Sequence, residues 1–84
     1  LEVLAVFNNK NLDKQIIGGK VIFKIFKNKS KFEIERNNEI IGTGFVINLQ
    51  SNKKDVNEVL ENNEAGLMVK SEIKINPGDK LIIK

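Results

Sequence analysis

The residue types that usually do chemistry are scarce in this 84-residue chain, which has no cysteine and no histidine. Their absence excludes disulfides, thiolate or imidazole metal ligands, and the side chain that most often carries protons near neutral pH. Nothing in the sequence sets a nucleophile beside a base. The sequence therefore predicts a binding module rather than an enzyme, with no metal site and no cofactor of its own.

Several acidic residues have structural interpretations. Asp55 precedes apolar residues spaced i, i+3 and i+4, and Glu58 completes a capping box with it, so we expect one short helical turn near residues 55–60. Asp79 ends a turn with proline and glycine at its two corners, which favours type II geometry. Glu64 differs, because it stands directly before Ala65 and Gly66, where a strand begins. We interpret Glu64 as a hydrogen-bond acceptor in a pocket.

Most of the chain has the pattern of short strands. Residues 1–7 alternate with a period near two, which predicts a half-buried strand with Phe7 in the core rather than in a stacking surface. Gly18 and Gly19 indicate a barrel corner, a bulge or a place where a ligand meets bare backbone. Two alternating segments meet at residues 37–38, which predicts a tight hairpin. We therefore expect an all-β fold, a small closed antiparallel barrel.

The net positive charge of the chain does not by itself identify a nucleic-acid-binding surface. The net charge is +3 and the pI is near 9.3, values that prompt a search for a basic binding face. The chain is, however, rich in lysine, asparagine and isoleucine together, the combination that an AT-rich genome produces. Only the placement of a lysine can therefore argue for contact with phosphates.

The ends of the sequence and its apolar runs bear on the location of the protein. No apolar run is long enough for a transmembrane helix, and the start lacks the features of a signal peptide. We expect an intracellular domain that is not secreted. Because the chain opens on Leu1 rather than methionine, we also expect it to be a piece of a longer protein.

An ordered series of motifs carries a family resemblance. Residues 44–66 read GFVINLQSNKKDVNEVLENNEAG, and residues 75–81 close the chain with INPGDKL. Together with Glu2 and Val3, Ile17 and Gly18, and Arg36 before the central glycines, this series resembles the C-terminal barrel of bacterial translation initiation factor two. The resemblance covers nearly the whole chain.

The resemblance implies a fold, a function and a set of partners. It implies that residues 1–84 form one barrel domain of the translation-factor type, the C-terminal fragment of a multidomain translation GTPase. The family's last domain binds the formylmethionyl 3′ end of initiator tRNA. Expected partners are that tRNA, the ribosome and the upstream domains, with no membrane and no DNA. GTP and magnesium are expected only in the upstream GTPase domain, and the location is a bacterial cytoplasm or an organelle matrix.

The family's pocket maps onto nine positions of this chain, and two alternatives follow from what occupies them. The family commonly has cysteine where this chain has Gly19 and Ala65, and a lysine, an arginine and an aromatic residue at positions 50–52. The first alternative is a working site for the formylmethionyl end. The second is an interaction barrel that has lost this recognition and docks on the ribosome or on neighbouring domains. The nine positions are Phe7, Gly19, Gln50, Ser51, Asn52, Lys53, Glu64, Ala65 and Gly66.

Overall fold

Nine β-strands and no helix occupy residues 1–83, the part of the chain that the computed structural model describes. The predicted all-β class is therefore confirmed. In this part of the chain no helix is long and apolar enough to span a membrane. The strands are β1 (Glu2–Asn8), β2 (Gln15–Lys20), β3 (Ile25–Lys27), β4 (Lys31–Arg36), β5 (Glu39–Ser51), β6 (Lys54–Asp55), β7 (Glu58–Leu60), β8 (Glu64–Ser71) and β9 (Lys80–Ile83).

Six strands close into an antiparallel barrel in the order β1-β2-β8-β5-β4-β9 and back to β1. The long strand β5 pairs with β4 through its first part and with β8 through its second. Strand β4 also pairs with β9, so the ring of pairings has no open edge. The predicted closed barrel is confirmed. Outside the ring, β6 pairs with the last residues of β5 in an antiparallel hairpin, and β3 pairs with β7 as a two-stranded ribbon.

The core fills the inside of the barrel with the alternate residues of its strands. The ribbon of β3 and β7 adds Phe26 and Val59 to this core. Burial of such side chains is the main source of stability in a domain of this size. The buried apolar residues are Leu1, Val3, Ile17, Val21, Phe26, Phe32, Ile34, Val46, Leu49, Val59, Ala65, Leu67, Val69, Ile75 and Leu81.

Phe7 does not lie in the core, so that prediction is wrong. Strand β1 pairs with β2 with two register shifts, one between Val3 and Ala5 and one between Val6 and Asn8. Each shift inserts an extra residue and reverses the alternation that follows it. Val6 therefore packs against the core, and the Phe7 side chain is 71% exposed on the outer face.

The helical turn predicted near residues 55–60 is also wrong. Asp55 ends β6, and Glu58–Leu60 forms β7. The pairing of β7 with β3 buries Val59 and leaves Leu60 53% exposed, a pattern with period two. A six-residue helix is marginal in water, so the strand pairing outweighs the local helical spacing. The capping box disappears with the helix.

Two predicted turns are present. Asn37 and Asn38 join β4 to β5 with φ angles of 53° and 65°, the positive values that a two-residue hairpin of type I′ requires. In the last turn, the backbone N–H of Asp79 donates to the Asn76 carbonyl at 3.1 Å. Gly78 has a φ of 92°, which glycine adopts without steric cost.

An ion pair between Arg36 and Asp79 links these two turns. The guanidinium of Arg36 donates through Nε and Nη2 to the two carboxylate oxygens of Asp79, at 2.8 and 2.7 Å, and Nη2 also donates to the Lys74 carbonyl. The Asp79 side chain is 2% exposed. Burial alone would raise the pKa of Asp79, but the hydrogen bonds from Arg36 and from the Asn76 backbone hold it below its ordinary value of 3.8.

We predict that this ion pair gives the domain an acid-sensitive part of its stability. The depressed pKa of Asp79 means that the contribution is complete above pH 3.8 and is lost as pH falls below it. Asp79→Asn should lower the free energy of unfolding by about 1 to 3 kcal/mol at pH 7. Urea denaturation at pH 7 and at pH 3 measures this, and the gap to the wild type should narrow at pH 3.

The matched control for Asp79→Asn is Glu39→Gln, an exposed acid on the same hairpin. This control should change the free energy of unfolding by less than about 0.5 kcal/mol. Equal effects of the two substitutions would contradict the structural role of the ion pair.

Candidate binding groove

A groove of about 290 Å³ lies on the outer face of the barrel across β1, β2, β8 and β5. Three of the nine sequence-predicted site residues, Phe7, Gln50 and Gly66, line it. The clefts over β4, β5 and β8 and between β3 and β9 contain none of the nine. The complete lining consists of Phe7, Ile16, Ile17, Asn48, Gln50, Gly66, Leu67 and Met68.

Bare backbone forms the floor of the groove. Gly66 on β8 pairs with Gly18 on β2 and with Gln50 on β5. A Cβ atom added at Gly66 would meet nothing within 4 Å, so the space above this residue is open. At Gly18 an added Cβ would lie 3.2 Å from Cε2 of the Phe7 ring. The ring therefore covers one glycine, and the other lies open to a ligand.

The walls of the groove are mainly apolar. The Phe7 ring stands on β1, and Ile16 and Met68 are half-buried on β2 and β8. Ile16 pairs with Met68 across the two strands, which places both side chains on the same face as Gly66. An aromatic ring, a branched side chain and a thioether together suit a small apolar group.

The polar side of the groove is held in place from outside it. Asn48 Nδ2 and Gln50 Nε2 both donate to Oδ1 of Asp55, each at 2.9 Å. These two side-chain hydrogen bonds, with a smaller effect of Lys29, lower the pKa of Asp55. Asp55 therefore positions both amides instead of capping a helix. Within residues 1–83 no three acidic side chains are grouped to hold a metal ion.

The predicted site residues Ser51, Asn52 and Lys53 lie at the tip of the hairpin of β5 and β6. Ser51 pairs with Lys54, and Asn52 and Lys53 have φ angles of 53° and 66°, so they form a two-residue turn. Because Gln50 pairs with Gly66, the tip lies at the end of the barrel where β8 begins. Glu64 begins β8 there, opposite Lys20. This end of the barrel therefore carries charges of both signs.

Two predicted site residues point away from the groove. Gly19 and Ala65 are paired with each other on β2 and β8, and both are buried. A Cβ at Gly19 would lie 2.4 Å from the Glu2 carbonyl oxygen and 2.5 Å from Leu1 Cδ2. Glycine at position 19 thus permits the close approach of β1, which is the barrel interpretation of this residue rather than the pocket interpretation.

The sequence prediction did not include five of the groove residues, which are Ile16, Ile17, Asn48, Leu67 and Met68. Ile16 and Met68 could have been found, because each lies two positions from a glycine that faces outward, Gly18 and Gly66. Asn48 could have been found in the same way, because it lies two positions from the predicted Gln50 and the register between them is regular.

A larger cleft of about 490 Å³ lies over β4, β5 and β8. Its lining includes Lys31, Glu33, Lys70 and Glu72, so charges of both signs face it. None of the nine predicted residues lies there. The smaller groove is the stronger candidate, because three predicted site residues line it and none lines the larger cleft.

We predict different effects of alanine at Gly19 on β2 and at Gly66 on the neighbouring strand β8. Gly19→Ala should lower the free energy of unfolding by about 1 to 3 kcal/mol, because the added methyl overlaps the Glu2 backbone. Gly66→Ala should leave it unchanged within about 0.5 kcal/mol, since its methyl enters open space. Urea denaturation of both variants decides this. Equal destabilisation would mean that Gly66 does not face an open groove.

Comparison with known proteins does not assign the chain to a family. No protein-family model matches it, and no curated protein is significantly similar to it.

Proposed function

We propose that this domain acts in translation initiation by binding the formylmethionyl 3′ end of initiator tRNA in the groove. The observation that carries the proposal is the meeting of Phe7, Gln50 and Gly66 in one groove. The motif resemblance selected these three residues for this role. Binding makes and breaks no covalent bond. This agrees with the sequence, in which no nucleophile stands beside a general base.

The size and walls of the groove suit the proposed ligand. A volume of about 290 Å³ is at the small end for ligand sites, which fits one blocked amino acid better than a whole nucleotide. The methionine thioether can contact the Phe7 ring and the Met68 side chain. Formylation removes the ammonium charge, whose desolvation against apolar walls would cost free energy.

The neighbouring hairpin provides cations for the tRNA backbone. Lys53 lies at the tip of this hairpin, and Lys20 lies at the same end of the barrel. Each lysine that contacts a phosphate would release a counterion. Each contact would steepen the slope of the logarithm of the binding constant against the logarithm of the salt concentration by about one. The groove would then hold the acylated end, and these lysines the adjoining nucleotides.

The proposal is tested by NMR titration of the 84-residue domain with the formylmethionyl 3′ fragment of tRNA. We expect shifts at Phe7, Gln50 and Gly66, and weaker binding of the unformylated fragment. Gly66→Val should keep the fold and weaken binding by at least about tenfold, because its side chain fills the open floor.

Ile40→Thr serves as the control for Gly66→Val, since Ile40 is an exposed apolar residue at the other end of β5. This control should bind like the wild type. A folded domain that responds to neither fragment at concentrations of about 1 mM contradicts the proposal.

An exposed apolar surface favours a second candidate, the interaction barrel. We name this surface the ribbon patch. Four of its five members line a cleft of about 460 Å³ between β3 and β9, and the fifth, Leu60, pairs with Ile25 beside it. Its most exposed member, Phe23, has 68% of its surface open to solvent. A cluster of exposed apolar side chains often marks a contact with another macromolecule. The patch consists of Ile22, Phe23, Ile25, Leu60 and Ile82.

The second candidate predicts that the ribbon patch matters more than the groove. Phe23→Ser combined with Ile82→Ser should lower initiation by the parent factor while the isolated domain stays folded. Under this candidate, Gly66→Val would leave initiation unchanged. Loss of initiation with Gly66→Val alone would argue for the groove.

A further inference from the structure

A chain of side-chain hydrogen bonds runs beside the groove. Asn28 Nδ2, after β3, donates to the Asn48 side-chain oxygen at 3.3 Å and to the Val56 carbonyl at 3.0 Å. Asn48 and Gln50 in turn donate to the carboxylate of Asp55, each at 2.9 Å. The chain therefore joins β3, β5 and β6 and ends at the groove residue Gln50.

This arrangement fixes the orientation of both amides. An ionised carboxylate only accepts hydrogen bonds, so Asp55 selects the amide nitrogens of Asn48 and Gln50. The oxygen of Asn48 already accepts from Asn28. The oxygen of Gln50 diverges from the nitrogen that Asp55 holds. Gln50 lines the groove, so we take this oxygen to be the end of the amide that a ligand in the groove can reach.

We infer that Asp55 is a positioning residue that makes the groove selective for ligands with an N–H donor at the Gln50 oxygen. The inference rests on the proposed function and deepens it, because it names the chemical group that the site reads. The lowered pKa of Asp55 keeps its carboxylate ionised near neutral pH, so the amide stays in this orientation.

An N–H donor can come from two parts of an acylated tRNA end. One is the amide N–H of a formylated amino acid, and the other is the exocyclic amine of the terminal adenine. Both donate from an uncharged planar group, which Gln50 can meet beside the apolar walls. The two sources differ in which methylation removes the donor, and this difference separates them.

The first set of experiments measures binding of four small probes to the 84-residue domain by NMR titration. The probes are formylmethionyl-adenosine, its N-methyl formamide analogue, its N6,N6-dimethyladenine analogue and adenosine. We expect loss of the N–H that binds Gln50 to weaken binding by about fivefold to tenfold. If the formamide is the donor, only the N-methyl formamide analogue weakens, and if adenine is the donor, only the dimethyladenine analogue does.

The second set of experiments tests the role of Asp55. Asp55→Asn should reduce this preference for the N–H ligand to about twofold or less, because the new amide allows Gln50 to turn over. Combining Asp55→Asn with Gln50→Glu should restore the preference, since residue 55 would then donate to residue 50 and leave a fixed acceptor oxygen. A merely structural role of Asp55 would not produce this rescue.

The outcomes separate this inference from the proposed function. If the wild type binds none of the probes, the proposed function fails and the inference fails with it. If formylmethionyl-adenosine binds and both methylated analogues bind as tightly as it does, the function stands and the inference is overturned. The inference is also overturned if Asp55→Asn keeps the full preference for N–H ligands while remaining folded.

Discussion

Closure of the six-strand ring is the constraint on which the rest of the structure depends. A closed ring assigns alternate residues of each strand to the core, and a change in this assignment requires a register shift. The shift between Val6 and Asn8 in β1 and the shift between Val46 and Asn48 in β5 occur where these strands pass the groove. They turn Phe7 and Asn48 outward, and they leave Val6 and Leu49 directed at the core. The same hydrogen-bonding ring therefore sets both the stability of the domain and the lining of its groove.

Two outer surfaces of the barrel have different chemistry and share no residue. The groove combines a bare backbone floor, an aromatic wall and amides that Asp55 holds, which suits one small group with specific hydrogen bonds. The ribbon patch offers several exposed apolar side chains, which suits a broader contact. A domain that binds an acylated end while it docks on another domain needs both kinds of surface. The groove and the ribbon patch can therefore coexist on one domain, although the two proposals differ on whether the groove binds the acylated end.

The sequence predicted what depends on local patterns. The hairpin at Asn37 and Asn38 and the turn at Gly78 follow from local conformational preferences. The closed barrel follows from short alternating segments and glycines. The exposure of Phe7 depends on pairing between strands, and so does the strand structure of Glu58–Leu60. Buried polar partners are equally non-local: the fully buried Gln15 donates to Ser71 Oγ and the Ile73 carbonyl and accepts from the Ile75 N–H. None of these contacts leaves a periodic signal.

The most direct test of the groove as the binding site is the measurement of intermolecular nuclear Overhauser effects with formylmethionyl-adenosine. The account predicts contacts from the methionyl methyl group of the ligand to the Phe7 ring and to the Met68 methyl group, which both line the groove with Gly66. Contacts from the same ligand methyl group to Phe23 or Ile82 of the ribbon patch, without any to Phe7, would contradict it.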